Sequence, residues 1–168
     1  MRTRPIPPER ARLASPRRDA RSAAAALLAR RDFATAELGR RLERAGYAAD
    51  DIAVVLQELA ASRALDDARY ARNFVSWHAG RGHGPIRIAA DLKAAGVEAG
   101  LIEAALTAAE GPDWRALAIE QRRRRFGAGA PRSWPEKARQ ARFLQYRGFS
   151  SDHIRSALGA DFEADSPA

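Results

Sequence analysis

The residues best suited to chemistry form a run of arginines in the last third of the chain. Four stand in a row in the segment Gln121-Arg122-Arg123-Arg124-Arg125-Phe126. Guanidinium groups stay charged and pair bidentately with carboxylates or phosphates. Four successive helical residues span about 300° of the helix surface, so at least one arginine must lie over the core with only its guanidinium reaching water. The other three arginines predict an anion-binding surface.

The next predicted helix extends this surface. Arg139 and Arg142 stand three residues apart and therefore share one helix face. Between residues 114 and 147 there are ten Lys and Arg against two Glu, a net charge of +8 that equals that of the whole chain. Such clustering indicates an acidic protein surface or a nucleic acid as partner. The predicted contact residues are Arg122, Arg123, Arg124, Arg125, Arg139, Arg142 and Arg147.

Other residue types offer little chemistry. The chain has no cysteine, which excludes a thiol nucleophile and a disulfide and favours a reducing compartment. His78, His83 and His153 lack the spacing of metal ligands and are interpreted as surface or packing residues. The pairs Asp50-Asp51 and Asp66-Asp67 fit helix N-termini better than a metal site. No nucleophile with a base can be assembled, so we expect a protein without catalytic activity, metal or cofactor.

A repeated pattern defines the elements that position these residues. Three stretches of sequence superimpose on Gly46, Gly96 and Gly148 at a period of about 50 residues, which is typical of a repeat array. Each glycine stands where a helix is expected to end in a left-handed residue. Equivalent apolar positions are Leu42, Leu92 and Leu144; Tyr47, Val97 and Phe149; Ile52, Ile102 and Ile154; and Leu56, Leu106 and Leu158.

Helical periodicity divides each repeat into three helices, and no stretch alternates as a strand would. The sequence therefore predicts an all-α fold of three tandem three-helix repeats that form an elongated, curved array without strands. Predicted helices cover residues 22–31, 35–44, 49–62, 67–81, 85–94, 99–109, 113–126, 134–146 and 151–158.

Two local patterns carry their own expectations. Tyr70, Phe74 and Trp77 form an aromatic stripe at helical spacing, which favours packing in the core. Ser133 and Glu136 match a capping box, in which each side chain satisfies an amide of the other residue.

The two ends differ in composition from the repeats. Residues 1–21 combine prolines with a net charge of +5 and are predicted to be a disordered basic arm. No apolar stretch is long enough for a membrane span or a secretory signal, so a cytoplasmic location is expected. The predicted division is an arm at 1–21, repeats at 22–64, 65–111 and 112–159, and an acidic disordered tail at 160–168.

Several separate motifs resemble one known family. LLARRDFATAEL, RALDDARYARNFV, GHGPIRIAADLKAAGV and KARQARFLQYRGFSSDHIRSAL follow one another in the order seen in the RecX family of bacterial recombination regulators, over nearly all of residues 22–158. One departure is Ala34, where the family commonly has a serine that caps the second helix. Thr35 is expected to take over that cap.

The resemblance implies a nonenzymatic modulator of RecA, the recombinase that forms filaments on single-stranded DNA. A member of this family would bind in the filament groove as a monomer, inhibit the ATPase and strand exchange of RecA, and contact single-stranded DNA weakly or through RecA. The residues alone leave two alternatives open. One is a DNA-binding regulator that uses a three-helix repeat as a helix-turn-helix, and the other is a helical scaffold.

Overall fold

The structure is a computed structural model that describes residues 16–159, with side chains from residue 19 onward. Residues 1–15 and 160–168, which hold most of the predicted arm and the predicted tail, lie outside this range. Within it the chain forms nine α-helices and no strand, which confirms the predicted all-α repeats. The helices are α1 Pro16–Leu28, α2 Thr35–Arg44, α3 Ala49–Ala61, α4 Asp67–Gly80, α5 Pro85–Ala95, α6 Ala99–Leu106, α7 Trp114–Phe126, α8 Trp134–Tyr146 and α9 Ser151–Leu158.

Each group of three helices closes around its own apolar core. The repeated Leu and Ile positions supply the centres of these cores, since Leu42, Leu92 and Leu144 are at most 1% exposed. Ile52 and Val55 of α3 are likewise buried, as their helical spacing predicts. We call α1–α3 repeat 1, α4–α6 repeat 2 and α7–α9 repeat 3.

The first helix begins earlier than its sequence indicates. It starts at Pro16, so residues 16–21 belong to α1 rather than to a disordered arm that reaches residue 21. Proline is favourable in a first helical turn, where its missing N–H has no partner to lose. Ala20 and Ala24 are fully buried against α3, and their small side chains gave no strong apolar signal.

Helix ends are capped partly as predicted. Asp66 caps α4 by accepting a hydrogen bond from the Arg69 N–H, which also lowers the pKa of the Asp66 carboxyl. Ser133 caps α8, but Glu136 accepts from the N–H of Arg132 instead of Ser133, so the reciprocal capping box predicted there is wrong. The chain has such a box at α9, between Ser150 and His153.

The start of α2 is capped from another repeat. Ala34 has no side chain able to cap, and Thr35 does not take over this role as expected. Both the N–H and the hydroxyl of Thr35 donate to Oδ1 of Asp67, the first residue of α4, at 2.8 and 3.0 Å. The acceptor comes from 32 residues further along the chain, which explains why local sequence could not show it.

The joint between repeats 1 and 2 forms around Gly96. This glycine ends α5 in the left-handed conformation, with φ of 91°. A Cβ added there would lie 2.5 Å from Cβ of Ala36, in the first turn of α2. Arg40 then donates to the carbonyl oxygens of Ala94 and Ala95 at the end of α5, at 2.9 and 3.0 Å. The start of α2 therefore docks on the end of α5.

Gly148 forms the equivalent joint between repeats 2 and 3. The N–H of Gly84 donates to the carbonyl oxygen of Arg147 at 2.7 Å, and the N–H of Ile86 donates to that of Gly148 at 3.0 Å. A Cβ on Gly148 would meet the backbone nitrogen of Arg87 at 2.6 Å. In both joints, the second helix of one repeat begins on the end of the second helix of the next.

Candidate functional site: an arginine-aromatic groove

The arginine run in α7 splits into a structural residue and an exposed set. Arg122 is only 4% exposed, and its Nη2 donates to the carbonyl oxygens of Ala128 and Gly129 in the loop that follows α7. One arginine of the run lies over the core as predicted, but its guanidinium meets backbone carbonyl oxygens and does not reach water as expected. Arg122 also holds the loop in place, so its inclusion among the predicted contact residues is wrong.

Arg123, Arg124 and Arg125 are exposed on α7. Arg124 pairs with Glu120 one turn earlier, at 2.5 Å, so part of its charge is neutralised within the helix. The Arg125 guanidinium lies 5.7 Å from the ring centre of Phe126, within the range of a cation-π interaction. Of these three arginines, Arg125 is the one directed toward α8.

A groove runs between the end of α7 and the face of α8. The rings of Phe126 and Phe143 meet edge to face at 5.4 Å and form its floor. The guanidinium of Arg139 lies 5.5 Å from the Phe126 ring centre, and Arg142 and the exposed Tyr146 complete the wall. We call this the arginine-aromatic groove; it is lined by Arg125, Phe126, Arg139, Arg142, Phe143 and Tyr146.

Arginine side chains also alternate with aromatic rings across the joint into repeat 2. Arg147 lies 5.4 Å from the Phe143 ring centre, and its Nη1 donates to the carbonyl oxygen of Arg81 at 3.1 Å. The Arg81 guanidinium in turn lies 4.2 Å from the ring of Trp77. Trp77 is 57% exposed, so its predicted place in a packed aromatic stripe is wrong. The signal missed was the i, i+4 pair of Trp77 and Arg81.

The stripe prediction holds for the other two aromatic residues. Tyr70 is buried in the core of repeat 2, and Phe74 packs against that core. Phe74 also stacks on His78 with ring centres 3.9 Å apart. Trp77 is turned out of the core because it lies two residues from the buried Val75 and two from the buried Ala79, about 200° around the helix from each.

The three histidines take packing and capping roles. Nδ1 of His78 and Nδ1 of His83 are 2.9 Å apart, so one ring must donate and the other accept. Burial is the main cause that lowers the pKa of His78, His83 and His153 below the ordinary value, and nearby arginines lower it further. All three side chains are therefore favoured in the neutral form.

The groove offers binding rather than bond-breaking chemistry. Guanidinium groups placed over aromatic rings keep their N–H donors free to meet carboxylate or phosphate oxygens, while exposed rings offer flat apolar contact. Within residues 16–159 no cluster of three or more His, Asp or Glu is placed to hold a metal ion. In the same range no helix is both long and apolar enough to cross a membrane.

This combination of tandem three-helix repeats and a basic, aromatic surface defines a class of helical-repeat binding proteins. Comparison with known proteins specifies the family. The model for the second three-helix domain of RecX matches residues 66–106, and the model for the third three-helix domain matches residues 113–158. The chain belongs to the RecX family, as its motifs indicate.

Individual relatives agree over most of their length. Regulatory protein RecX of Halorhodospira halophila is 46% identical over 145 residues, which cover 86% of this chain and 89% of that protein. The Acidithiobacillus ferrooxidans protein of the same name is 42% identical over 149 residues, which cover 89% and 95%. The crystal structure of RecX from Lactobacillus salivarius shares the fold, with a TM-score of 0.73, 21% identity and coverage of 87% and 96%.

Proposed function

We propose that this protein is a nonenzymatic regulator of RecA. It binds the RecA filament on single-stranded DNA, inhibits the ATPase and strand exchange of RecA, and in this way modulates homologous recombination and DNA repair. It acts as a monomer in the cytoplasm and needs no cofactor. Its membership in the RecX family supports this role, since the matched relatives are named regulatory proteins.

The arginine-aromatic groove is the observation that carries the binding proposal. Three exposed arginines, Arg125, Arg139 and Arg142, line it, and the half-buried Arg147 adjoins it. Three of these four guanidinium groups lie over aromatic rings instead of extending freely. An arginine that is already oriented loses less side-chain entropy when it pairs with an anion. We therefore assign the contact with the filament to Arg123, Arg124, Arg125, Arg139, Arg142 and Arg147, without the buried Arg122.

Charge reversal tests this assignment directly. Changing Arg125, Arg139 and Arg142 together to Glu should weaken inhibition of the RecA ATPase on single-stranded DNA by about tenfold or more, because close charge pairs at interfaces are strongly coupled. Helicity and thermal midpoint should stay close to those of the unaltered protein, since exposed charges contribute little to folding.

A matched control separates the groove from net charge. Arg63, Arg72 and Arg115 are also exposed and lie outside the groove. Their joint reversal to Glu changes net charge equally and should affect inhibition much less. Equal losses of inhibition in both triple variants would show that net charge acts only through long-range attraction. Full inhibition by the groove variant would show that the binding surface lies elsewhere.

A second candidate function is direct DNA binding. The alternation of Trp77, Arg81, Arg147 and Phe143 supports it, because stacked aromatic residues between cations suit single-stranded nucleic acid. Fluorescence anisotropy with a labelled single-stranded oligonucleotide, in the absence of RecA, tests this candidate. Binding that weakens steeply with salt and with Trp77→Ala would support it. An affinity for duplex DNA equal to that for the single-stranded oligonucleotide would favour the helix-turn-helix alternative.

A further inference from the structure

Repeat 1 carries an open groove at the end of its second helix. Leu27, Tyr47 and the exposed Ala45 form its apolar surface. Three exposed arginines, Arg30, Arg41 and Arg44, surround it. We call this the α2 end groove. It lies in a different repeat from the arginine-aromatic groove.

The equivalent grooves of repeats 2 and 3 are filled. In repeat 2, Ala34 is buried in the core beside Val97, and Ala36 lies against Gly96. In repeat 3 the corresponding place is taken by Gly84 and Ile86, through their hydrogen bonds to the end of α8. Both occupants are the same structural unit, the first turn of a helix together with the residue that precedes it.

In repeat 1 this position is empty of described residues. A Cβ placed on Gly46 would have no described atom within 4 Å. The carbonyl oxygen of Ala45 is equivalent to those of Ala95 and Arg147, which accept hydrogen bonds across the two joints. No residue of the described range outside repeat 1 donates to it. The α2 end groove is therefore an unfilled copy of a joint that the chain builds twice.

We infer that the α2 end groove receives the first turn of a partner helix that carries acidic residues. The N–H groups of a helix N-terminus complement the carbonyl oxygens at the end of α2, as they do at Gly148. Acidic side chains are favoured in a first helical turn and would pair with Arg41 and Arg44. One structural element thus satisfies both the polar and the charged parts of the groove.

The inference rests on the proposed function, because the partner that supplies this helix is then the RecA protomer. A second copy of this chain does not fit. Among the described helices, its only free second-helix start is that of α8, which begins at Trp134, 14 residues before Gly148, whereas α2 and α5 begin 11 residues before Gly46 and Gly96. The start of α8 therefore carries an additional turn that the element filling the other two joints lacks. Its Arg139 would also approach the arginines around the groove.

Site-specific alkylation tests the inference. The chain has no cysteine, so Ala45→Cys and Ala53→Cys each introduce a single thiol at an exposed position, the first in the groove and the second on α3 outside it. Labelling of this chain by a maleimide is followed by mass spectrometry with and without RecA filaments on single-stranded DNA. We expect the filament to slow labelling of the groove thiol about tenfold and to leave labelling of the α3 thiol within about twofold.

A bulky substitution gives an independent measurement. Ala45→Tyr should weaken filament binding about tenfold by filling the groove, whereas Ala53→Tyr should change it less than about twofold. Circular dichroism checks that both variants are folded. If the unaltered protein does not bind the filament, the proposed function and this inference both fail. If it binds while the groove thiol labels at its free rate, only the inference fails.

Two further outcomes would identify another occupant. Faster labelling of the groove thiol in the free Ala45→Cys variant after deletion of residues 1–15 would show that the N-terminal segment of this chain fills the groove. Slower labelling as the concentration of the free variant rises would show that a second copy does. Either result would overturn the assignment to a partner helix.

Discussion

At the scale of single residues, Arg122 shows how neighbouring arginines acquire different roles. It follows the buried Gln121 and is itself buried, whereas Arg123 points to solvent. Its hydrogen bonds to the carbonyl oxygens of Ala128 and Gly129 close the loop between α7 and α8. That loop connects Phe126 to α8, and Phe126 and α8 lie on the two sides of the arginine-aromatic groove.

Arg122→Met should therefore destabilise the protein, while Arg123→Met should not. Loss of the hydrogen bonds that the buried Arg122 guanidinium donates to the loop is expected to cost about 2 kcal/mol. A surface substitution is expected to stay within about 0.5 kcal/mol. Urea unfolding followed by circular dichroism measures both free energies. Equal free energies of unfolding for the two variants would contradict a structural role for Arg122.

The histidine pair predicts a pH dependence of stability. Burial lowers the pKa of His78 and His83 below the ordinary value of about 6.5. The unfolded chain then binds protons more readily than the folded one. Stability is present above the unfolded pKa and is lost as pH falls through the folded pKa. Protonation of both rings would also remove the hydrogen bond between their Nδ1 atoms.

When the pH is lowered from about 7.5 to about 5, the thermal midpoint of the unaltered protein should therefore fall by more than that of a variant without the two imidazoles. The comparison variant, His78→Gln with His83→Gln, keeps polar side chains that do not titrate. Arg81, Arg87 and Arg147 lower the pKa of one or both histidines, and Asp91 raises both. A parallel pH profile in the two proteins would show that the pair does not control this dependence.

At this scale the sequence predicts where charged residues cluster but not which way each side chain points. The clustering of arginines on α7 and α8 is visible in the sequence, and six of the seven predicted contact residues remain accessible. The burial of Arg122 and the exposure of Trp77 depend on the rotation of each helix about its axis. That rotation is fixed by packing against other helices and not by the local run of residue types.

At the scale of elements, the three equivalent glycines share a conformation but differ in surroundings. Gly46, Gly96 and Gly148 have φ between 88° and 91°, as their sequence positions predict. The two later glycines also contact the start of another helix, whereas Gly46 has no such contact among the described residues. Glycine is therefore favoured for two physical reasons. All three positions have a left-handed backbone, and at Gly96 and Gly148 another helix also approaches too closely to leave room for a Cβ.

Alanine substitution separates these causes. Gly46→Ala should cost about 1 kcal/mol, because a residue with a Cβ is strained in the left-handed region. Gly148→Ala should cost about 2 kcal/mol more, since its Cβ would overlap the backbone of Arg87 and force the joint apart. Chemical denaturation of both variants measures the difference. Equal costs would mean that the joint relaxes freely around the added methyl group.

Element boundaries followed from sequence wherever a strong local signal existed. The bounds of α2, α8 and α9 agree with prediction, because glycine ends and cap residues mark them. α6 stops at Leu106 instead of residue 109, where Thr107 bonds back to the carbonyl oxygen of Glu103. The contact between Thr35 and Asp67 could not be predicted, since it joins residues from different repeats.

At the scale of the whole molecule, the repeats are separate cores joined by few contacts. Helix packing occurs mainly within each repeat. The joints consist of hydrogen bonds, close backbone contacts, and the packing of Ala34, Trp114 and Leu117 against the core of repeat 2. The two proposed binding surfaces lie in repeats 1 and 3. A partner that contacts both would bind the chain as one connected clamp, because the first contact raises the effective concentration of the second.

Removal of repeat 3 tests this connection. A chain that ends at Glu110 keeps all buried core residues of repeats 1 and 2. Of the residues that pack against these cores it loses only Trp114 and Leu117, which contact the core of repeat 2. It loses the region of net charge +8 and the arginine-aromatic groove. We expect its affinity for the RecA filament to fall far more than threefold, by about 100-fold, since linked sites multiply their contributions.

The measurement is the concentration that halves the RecA ATPase on single-stranded DNA, for the full and the shortened chain. Circular dichroism and light scattering must show that the shortened chain is helical and monomeric. Ala45→Tyr in the shortened chain should then remove most of the residual inhibition, because the α2 end groove is the remaining proposed contact. Inhibition by the shortened chain at the same concentration as the full chain would contradict both the clamp and the assignment of binding to repeat 3.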